Sequence, residues 1–449
     1  MIWFADHKAL ADAITALAAV ASIAAALQLR ARPRLAAALL VLAGTFVAFA
    51  MAADDFLHAW DERYHALVGL HLTRHPLVPT LYERQPIPMP QDWGHSQLWI
   101  HKPPLPLYFI AGSLEVFGRS ELAVRLPSLA LHALCAYAAS RIGARLFDDA
   151  TGLLAGFLVA INGQLLDLAA GRKPTDHVDS LLVSFTCLAI CSALSEKRSV
   201  LTGALAGRAV LSKWLIGLLP FAVVRMRWKH LAIAALVCAA IAAPWQIYLA
   251  RAFPEAAALE TQHRLAHVTT ALDGHTGGIF FHLIRIPRFF GEVSPLALLW
   301  FFVLRRGAPA WGILLRWIAL PYIFFSLIAT KMENYVMQAA PAMALVVAAV
   351  AVEFWRMRKP LPMLLAAALV ALPARYCVER WKPFHRFEEE SAIARQLRSL
   401  PSGKILVIGA RHPIESMFYA DLVAIEEVPS EEQLRLLSEQ GWQIIRGGP

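Results

Sequence analysis

The sequence predicts an all-α polytopic membrane protein that ends in a small α/β unit, and three observations predict it. First, 58% of the 449 residues are hydrophobic and only 17% are charged, with a mean hydropathy of +0.52. That is more apolar surface than a soluble core absorbs and less charge than a solvated exterior carries. Second, apolar stretches such as 9–29, 35–53, 231–250 and 334–352 each match the ~20 residues that carry a helix through ~30 Å of hydrocarbon. Third, six basic clusters punctuate the apolar stretches: Arg30, Arg32 and Arg34; Arg141 and Arg145; Lys197 and Arg198; Arg225, Arg227 and Lys229; Arg305 and Arg306; Arg356, Arg358 and Lys359.

Because cytoplasmic loops are enriched in Lys and Arg, all six clusters are expected on the cytoplasmic side. Spans near 9–29, 35–53, 122–140, 150–170, 178–195, 231–250, 289–304, 311–330, 334–353 and 361–374 satisfy that placement with one alternation. Between EKR at 196–198 and RMRWK at 225–229 the chain crosses twice or not at all, since both ends are cytoplasmic. Two short helices broken near Lys213 are expected there, giving about twelve spans; interrupted helices are tolerated where they line a polar cavity. Residues 9–29 follow MIWFADHK, which lacks the strongly basic start of a signal peptide, so they read as a retained span. The net charge of +9 suits basic loops meeting anionic lipid, and no run of residues reads as a nucleic-acid patch.

Three segments fall outside: 54–119, 251–288 and the tail from Arg375. The tail holds two β-like runs, KILVIGA at 404–410 and LVAIEEV at 422–428, then a helix-like EEQLRLLSEQ and WQIIRG, which read as a small α/β domain over 375–449 following a membrane domain over 1–374. Four of the five cysteines lie in expected spans, so neither a disulfide framework nor a thiolate metal site is indicated.

Charged residues at the outer membrane face are costly and mark a pathway or a site. Asp61 and Glu62 follow the second span, where Leu57, Trp60, Tyr64, Leu67, Val68 and Leu72 recur at helical spacing, as in an amphipathic helix lying in the interface. The paired acids suit a base or a cation holder, and equally the N-terminal turn of a helix. Lys102 precedes two prolines that keep it extended, which suits a phosphate, though a snorkelling lysine fits too. Asp176 and Asp179 form a second acidic locus beside Arg172 and Lys173. Lys213 and Lys331 each end an apolar stretch on the outer side; with Lys102 and Arg172 they could neutralise a lipid phosphate. Six histidines fall in the first outer loop, and His71 and His75 have a spacing that can bind zinc, but no acid stands in register and no metal site is expected.

These pieces resemble the GT-C glycosyltransferases, in the branch of the protein O-mannosyltransferases and the lipid A aminoarabinose transferase. The matching motifs run in order: DERY at 61–64, KPPL at 102–105, FGRSELAVRLPS at 117–128, DSLLVSF at 179–185, VLSKWLIGLLP at 210–220 and ATKMENYVMQAAP at 329–341. The resemblance implies a sugar donor hung from a polyprenyl phosphate and a hydroxyl acceptor on a glycan, lipid or protein. It implies Asp61 as catalytic base with Glu62 beside it, phosphate contacts from Lys102, Lys213 and Lys331, and Tyr335 shaping that pocket. Asp179 fits the second acidic position, with Asp176 an equally near carboxylate. Inversion is expected, and since no nucleotide diphosphate leaves, no divalent metal or other cofactor is required, although some members of the resembled family use a divalent metal. The expected setting is a bacterial inner membrane. An extra span before the first loop and a tail domain of only about seventy residues depart from the family pattern. A carrier or a non-catalytic binder of polyprenyl lipid is the competing reading; a carrier, however, would place its polar residues at mid-span rather than at one face.

Overall fold

The computed structural model describes residues 8–89, 92–307, 310–383 and 385–447; the opening segment MIWFADH lies outside them. Among the described residues eight helices are long and apolar enough to cross a membrane, and two bent pairs bring the number to ten. The bends have local causes. Asp149–Ala160 and Gly163–Ala169 turn by 52° at Asn162, whose side chain accepts from Leu165 N–H and donates to Phe289 C=O. Leu283–Phe290 and Ser294–Leu304 turn by 110° at Gly291, where φ is +89°, a conformation that only glycine adopts without strain.

The stretch Ser199–Val223 resolves the crossing problem posed by its two basic flanks. Gly203 packs on Ala234, and Gly207 on Cys238 and Ile241, so the helix Ser199–Lys213 runs parallel to Trp228–Ala252. Parallel neighbours require the chain to return between them. It does so after Lys213: Trp214 takes φ +57°, and Gly217 lies against the backbone of Ala209 and Val210. The return leg Trp214–Val223 and the apolar helix Trp311–Leu327 add two further apolar segments, each shorter than the ~20 residues of a full crossing.

All six basic clusters meet at one end of the bundle. Arg34, Arg141, Arg145 and Arg198 line one cavity, Arg356 pairs with Asp148 and Arg305 with Glu353 at 2.6 Å each, and Arg316 donates to Val223 C=O beside Arg225. The opposite end carries the first loop and the tail. There the strands β1 (Ile405–Ile408), β2 (Val423–Ile425) and β3 (Gln443–Arg446) form a parallel sheet in the order β2-β1-β3, with helices Pro413–Tyr419 and Glu431–Glu439 as the crossovers. The last span runs on to Trp381, past the expected boundary at 374.

One expectation is corrected by this packing. The helix Asp61–Leu72 lacks the wet face of an amphipathic helix, since only Asp61 and Arg63 in it are partly exposed. Tyr64, Leu67, Val68 and Leu72 are buried, but so are Glu62, His65 and His71, while Trp60 just before it is 64% exposed. The tail covers it: residues of the first loop such as Leu67, Val68 and Trp99 share one hydrophobic core with Leu406, Phe418 and Ile425. A helix closed on all sides in this way can hold buried polar groups only if they are paired.

Candidate active site

Asp61 opens the helix Asp61–Leu72, where the N-terminal dipole favours a carboxylate. It accepts the Thr175 N–H at 2.8 Å and lies 3.3 Å from Lys102 Nζ; both the Asp61 and the Lys102 side chains keep 16% exposure. Lys102 is displayed from the extended turn at Pro103 that precedes the helix Pro104–Phe117. Burial alone would raise the Asp61 carboxyl, but the Lys102 ammonium, His65 and the Thr175 N–H outweigh it and hold the group well below the usual carboxylate range. Asp61 is therefore an anion throughout the neutral range.

Thr175 joins two carboxylates. Its backbone holds Asp61, its hydroxyl donates to Asp179, and it adopts φ +65°, a left-handed conformation that is strained for a β-branched residue. Asp179 in turn lies 2.6 Å from Lys213 Nζ, and that ammonium sits 4.6 Å above the centre of the Tyr335 ring. Asp61 and Lys102 are within Coulombic reach of Lys213. Two acid–lysine pairs, bridged by one threonine and walled by one tyrosine, thus share a site at the end opposite the basic clusters. An aromatic wall stands next to it, with Trp93 stacked on His101 at 5.6 Å and in edge contact with Tyr64 at 5.0 Å.

The other expected residues are placed elsewhere. Glu62 points inward and is fully buried; Arg125 grips both its oxygens at 2.6 and 2.9 Å, and His58 N–H adds a third bond. Gly171, at φ +78°, passes so close that a Cβ there would sit 2.1 Å from Glu62 Oε1, so no side chain fits. Asp176 is also fully buried, its Oδ1 2.8 Å from His65 Nδ1, so the two acids of the second locus separate: Asp179 faces the lysine and Asp176 faces the interior. Arg172 is committed to Asp54, at 2.7 and 3.0 Å, and to the Arg380 carbonyl at 3.0 Å, which ties the loop to the last span. Lys331 turns back on its own chain, donating to the carbonyls of Phe325, Ser326 and Ile328 at the end of the helix Trp311–Leu327, and lines a cavity of about 400 Å³ with Lys173 and Arg288. Among the described residues no three His, Cys, Asp or Glu side chains converge as a metal site.

Arg125, Thr175 and His65 hold the acids of the two loops in place, a part that the sequence reading did not assign to them. Arg125 had a signal, as an arginine inside an apolar helical run. Thr175 had none, because a left-handed backbone at a β-branched residue is invisible in the sequence.

The charge state has a stability consequence. Asp61 and Glu62, and likewise Asp54 beside Arg172 and His58, are held below their ordinary values of 3.8 and 4.5 against the pull of burial. Groups with lowered folded values stabilise the fold above their unfolded pKa and lose that contribution as the pH falls through the folded one. Thermal midpoints measured in detergent should therefore be level in this respect from pH 7 to about pH 5 and fall only as the pH drops below about 4. Buried histidines contribute their own fall nearer pH 6, so the ion pairing is read from the step below about pH 4, and Asp54→Asn leaving that step unchanged would contradict it.

The multi-span bundle with its acid-bearing first loop and small α/β tail is a fold that solved structures of other membrane proteins share. Residues 101–248 match the dolichyl-phosphate-mannose-protein mannosyltransferase family. The chain is 25% identical over 337 residues to the undecaprenyl phosphate-α-4-amino-4-deoxy-L-arabinose arabinosyl transferase of Pseudomonas paraeruginosa, a match covering 65% of this chain and 58% of that protein. It thus spans less than two thirds of the length of that curated relative. Among solved structures, ArnT from Cupriavidus metallidurans bound to undecaprenyl phosphate superposes with a TM-score of 0.63 at 17% identity, over 90% of this chain and 87% of that one. The archaeal oligosaccharyltransferase AglB from Archaeoglobus fulgidus superposes with a TM-score of 0.55 at 14% identity, over 91% and 69%.

Proposed function

We propose that the protein transfers a sugar from a polyprenyl-phosphate donor to a hydroxyl acceptor, with inversion, on the extracytoplasmic face of a bacterial inner membrane. The observation that carries this reading is the pairing of Asp61 with Lys102 in the same site as Asp179 with Lys213. Asp61 takes the acceptor proton, the acceptor oxygen attacks the anomeric carbon, and the bond from that carbon to the phosphate oxygen breaks with its electron pair on the phosphate. The donor phosphodiester is a monoanion and the departing polyprenyl phosphate a dianion.

Charge balance explains why a lysine should pair with the base. At rest the four groups sum to zero. When Asp61 becomes neutral, Lys102 loses its counterion at the moment the leaving phosphate gains a charge, so the attraction grows toward the transition state instead of being present equally in the ground state. Lys213 and the Tyr335 wall complete the phosphate pocket, Asp179 orients the sugar or the acceptor, and Lys331 lines the neighbouring cavity. The lysines supply the positive charge at the leaving oxygen, so the reading requires no cofactor. The motif match and the relative of Pseudomonas paraeruginosa, named for an undecaprenyl phosphate-linked sugar, support the donor class.

The test is the anomeric configuration of the product, read by NMR after the purified protein acts on a polyprenyl-phosphate sugar of known anomer. The opposite configuration is expected; the same configuration would rule out direct displacement. Thr175 offers a finer check. Thr175→Ala removes a hydrogen bond to a charged group, worth about 1.5–3 kcal/mol and hence roughly ten- to a hundredfold in transfer rate. Thr175→Ser keeps the hydroxyl and should recover most of the rate; equal rates in the two variants would show that the hydroxyl does not matter.

A further inference from the structure

A large unassigned feature lies at the end of the bundle away from the acids. A cavity of about 760 Å³ opens there, and Arg34, Arg141, Arg145 and Arg198 line it, with Asp149 as the one lining carboxylate. Among the described residues none of these four guanidiniums makes an ion pair or a side-chain hydrogen bond. Three of them, Arg141, Arg145 and Arg198, act together on Cys191 in the cavity wall. Loop arginines that only follow the positive-inside rule need not converge; they can scatter and stay solvated. Four that face one space repel each other, and an anion of more than one charge relieves that repulsion. Most of the remaining lining is apolar, including Leu134, Leu188 and Leu194, and Leu134 is also exposed at the bundle surface.

We propose that this cavity binds the phosphate-bearing headgroup of an anionic phospholipid from the leaflet at the basic end, with its acyl chains along the leucine wall. The arginines recognise phosphate oxygens, and the apolar wall favours a lipid over a free anion. Arginine suits the role because its planar fork binds two phosphate oxygens at once. The site is independent of the sugar chemistry at the opposite end, so it stands whether or not transfer is found.

The experiment uses the full chain, incorporated into phosphatidylcholine vesicles with and without cardiolipin, extracted into mild detergent and examined by native mass spectrometry for retained lipid. Wild type should keep cardiolipin, Arg141→Gln/Arg145→Gln should bind it roughly tenfold or more weakly, and Arg30→Gln/Arg32→Gln, which alters arginines outside the cavity lining, should match wild type. Equal losses in both double variants would show diffuse surface attraction and overturn the site. So would wild type that retains no cardiolipin, or inorganic pyrophosphate that displaces all of it at the affinity of the lipid. A second readout needs no variant. Cys191 lines the cavity and the other four cysteines are buried, so maleimide labelling of the folded protein should slow severalfold when cardiolipin is present. Unchanged labelling would contradict occupancy.

Discussion

Asp61→Asn should lower the rate of sugar transfer by about a thousandfold, within the range that a positioned base contributes, while binding of the polyprenyl-phosphate donor persists. The asparagine keeps the size of the side chain, and its oxygen can still accept the Thr175 N–H, but it cannot take the acceptor proton. It also leaves Lys102 without its carboxylate at rest. The positive charge then meets the donor monoanion in the ground state, so donor affinity should hold or rise while kcat collapses. This split separates the base from a residue that only shapes the fold, which would weaken binding and turnover together. Donor binding read by fluorescence and transfer read with radiolabelled sugar, on the same preparation, check both halves. A variant that retains more than about a tenth of the wild-type rate would remove Asp61 from the role of base.

The largest expected loss of stability belongs to Arg125. Its guanidinium is fully buried, holds both Glu62 oxygens, and donates to the carbonyls of Ala52, Asp54 and Phe56. Arg125→Met strands the Glu62 carboxylate inside the protein, and breaking a buried pair in this way costs about 3–5 kcal/mol. Arg125→Met/Glu62→Met removes the stranded charge and should recover part of the loss; the three freed carbonyls account for the rest. Thermal unfolding in detergent, with the single and double variants side by side, checks this. A single variant as stable as wild type would mean that the pair does not hold the first loop against the bundle.

Much of the architecture follows from short-range chemistry and is legible for that reason. Spans are runs of apolar residues and their direction is written in the arginines beside them, while two basic flanks a short distance apart leave the stretch around Lys213 either a there-and-back path or no crossing. The tail strands are legible as the compact apolar runs around Leu406 and Ala424. What the sequence hides is pairing over distance. Glu62 stands beside Asp61 in the chain, yet helical rotation turns one toward Lys102 and the other toward Arg125, sixty-three positions away. Arg172 and Lys331 carry the charge expected of a phosphate contact, but Asp54 and the carbonyls of the helix Trp311–Leu327 already hold them. The choice between Asp176 and Asp179 depends on which helix face meets His65 and which meets Lys213, and local spacing cannot supply that. The burial of the helix Asp61–Leu72 depends on the tail, more than three hundred residues later, folding down over it.

The central claim, that this site moves a sugar off a polyprenyl phosphate, is tested most directly by product stoichiometry. Purified wild type would be given a panel of polyprenyl-phosphate sugars with extracted envelope fractions, and both the labelled acceptor and the released polyprenyl phosphate would be quantified. The account predicts that at least one donor yields the two products in equal amounts, and that Asp61→Asn yields neither above background. Wild type that binds these lipids but releases no polyprenyl phosphate from any of them would contradict it and leave a lipid-binding or carrier protein in its place.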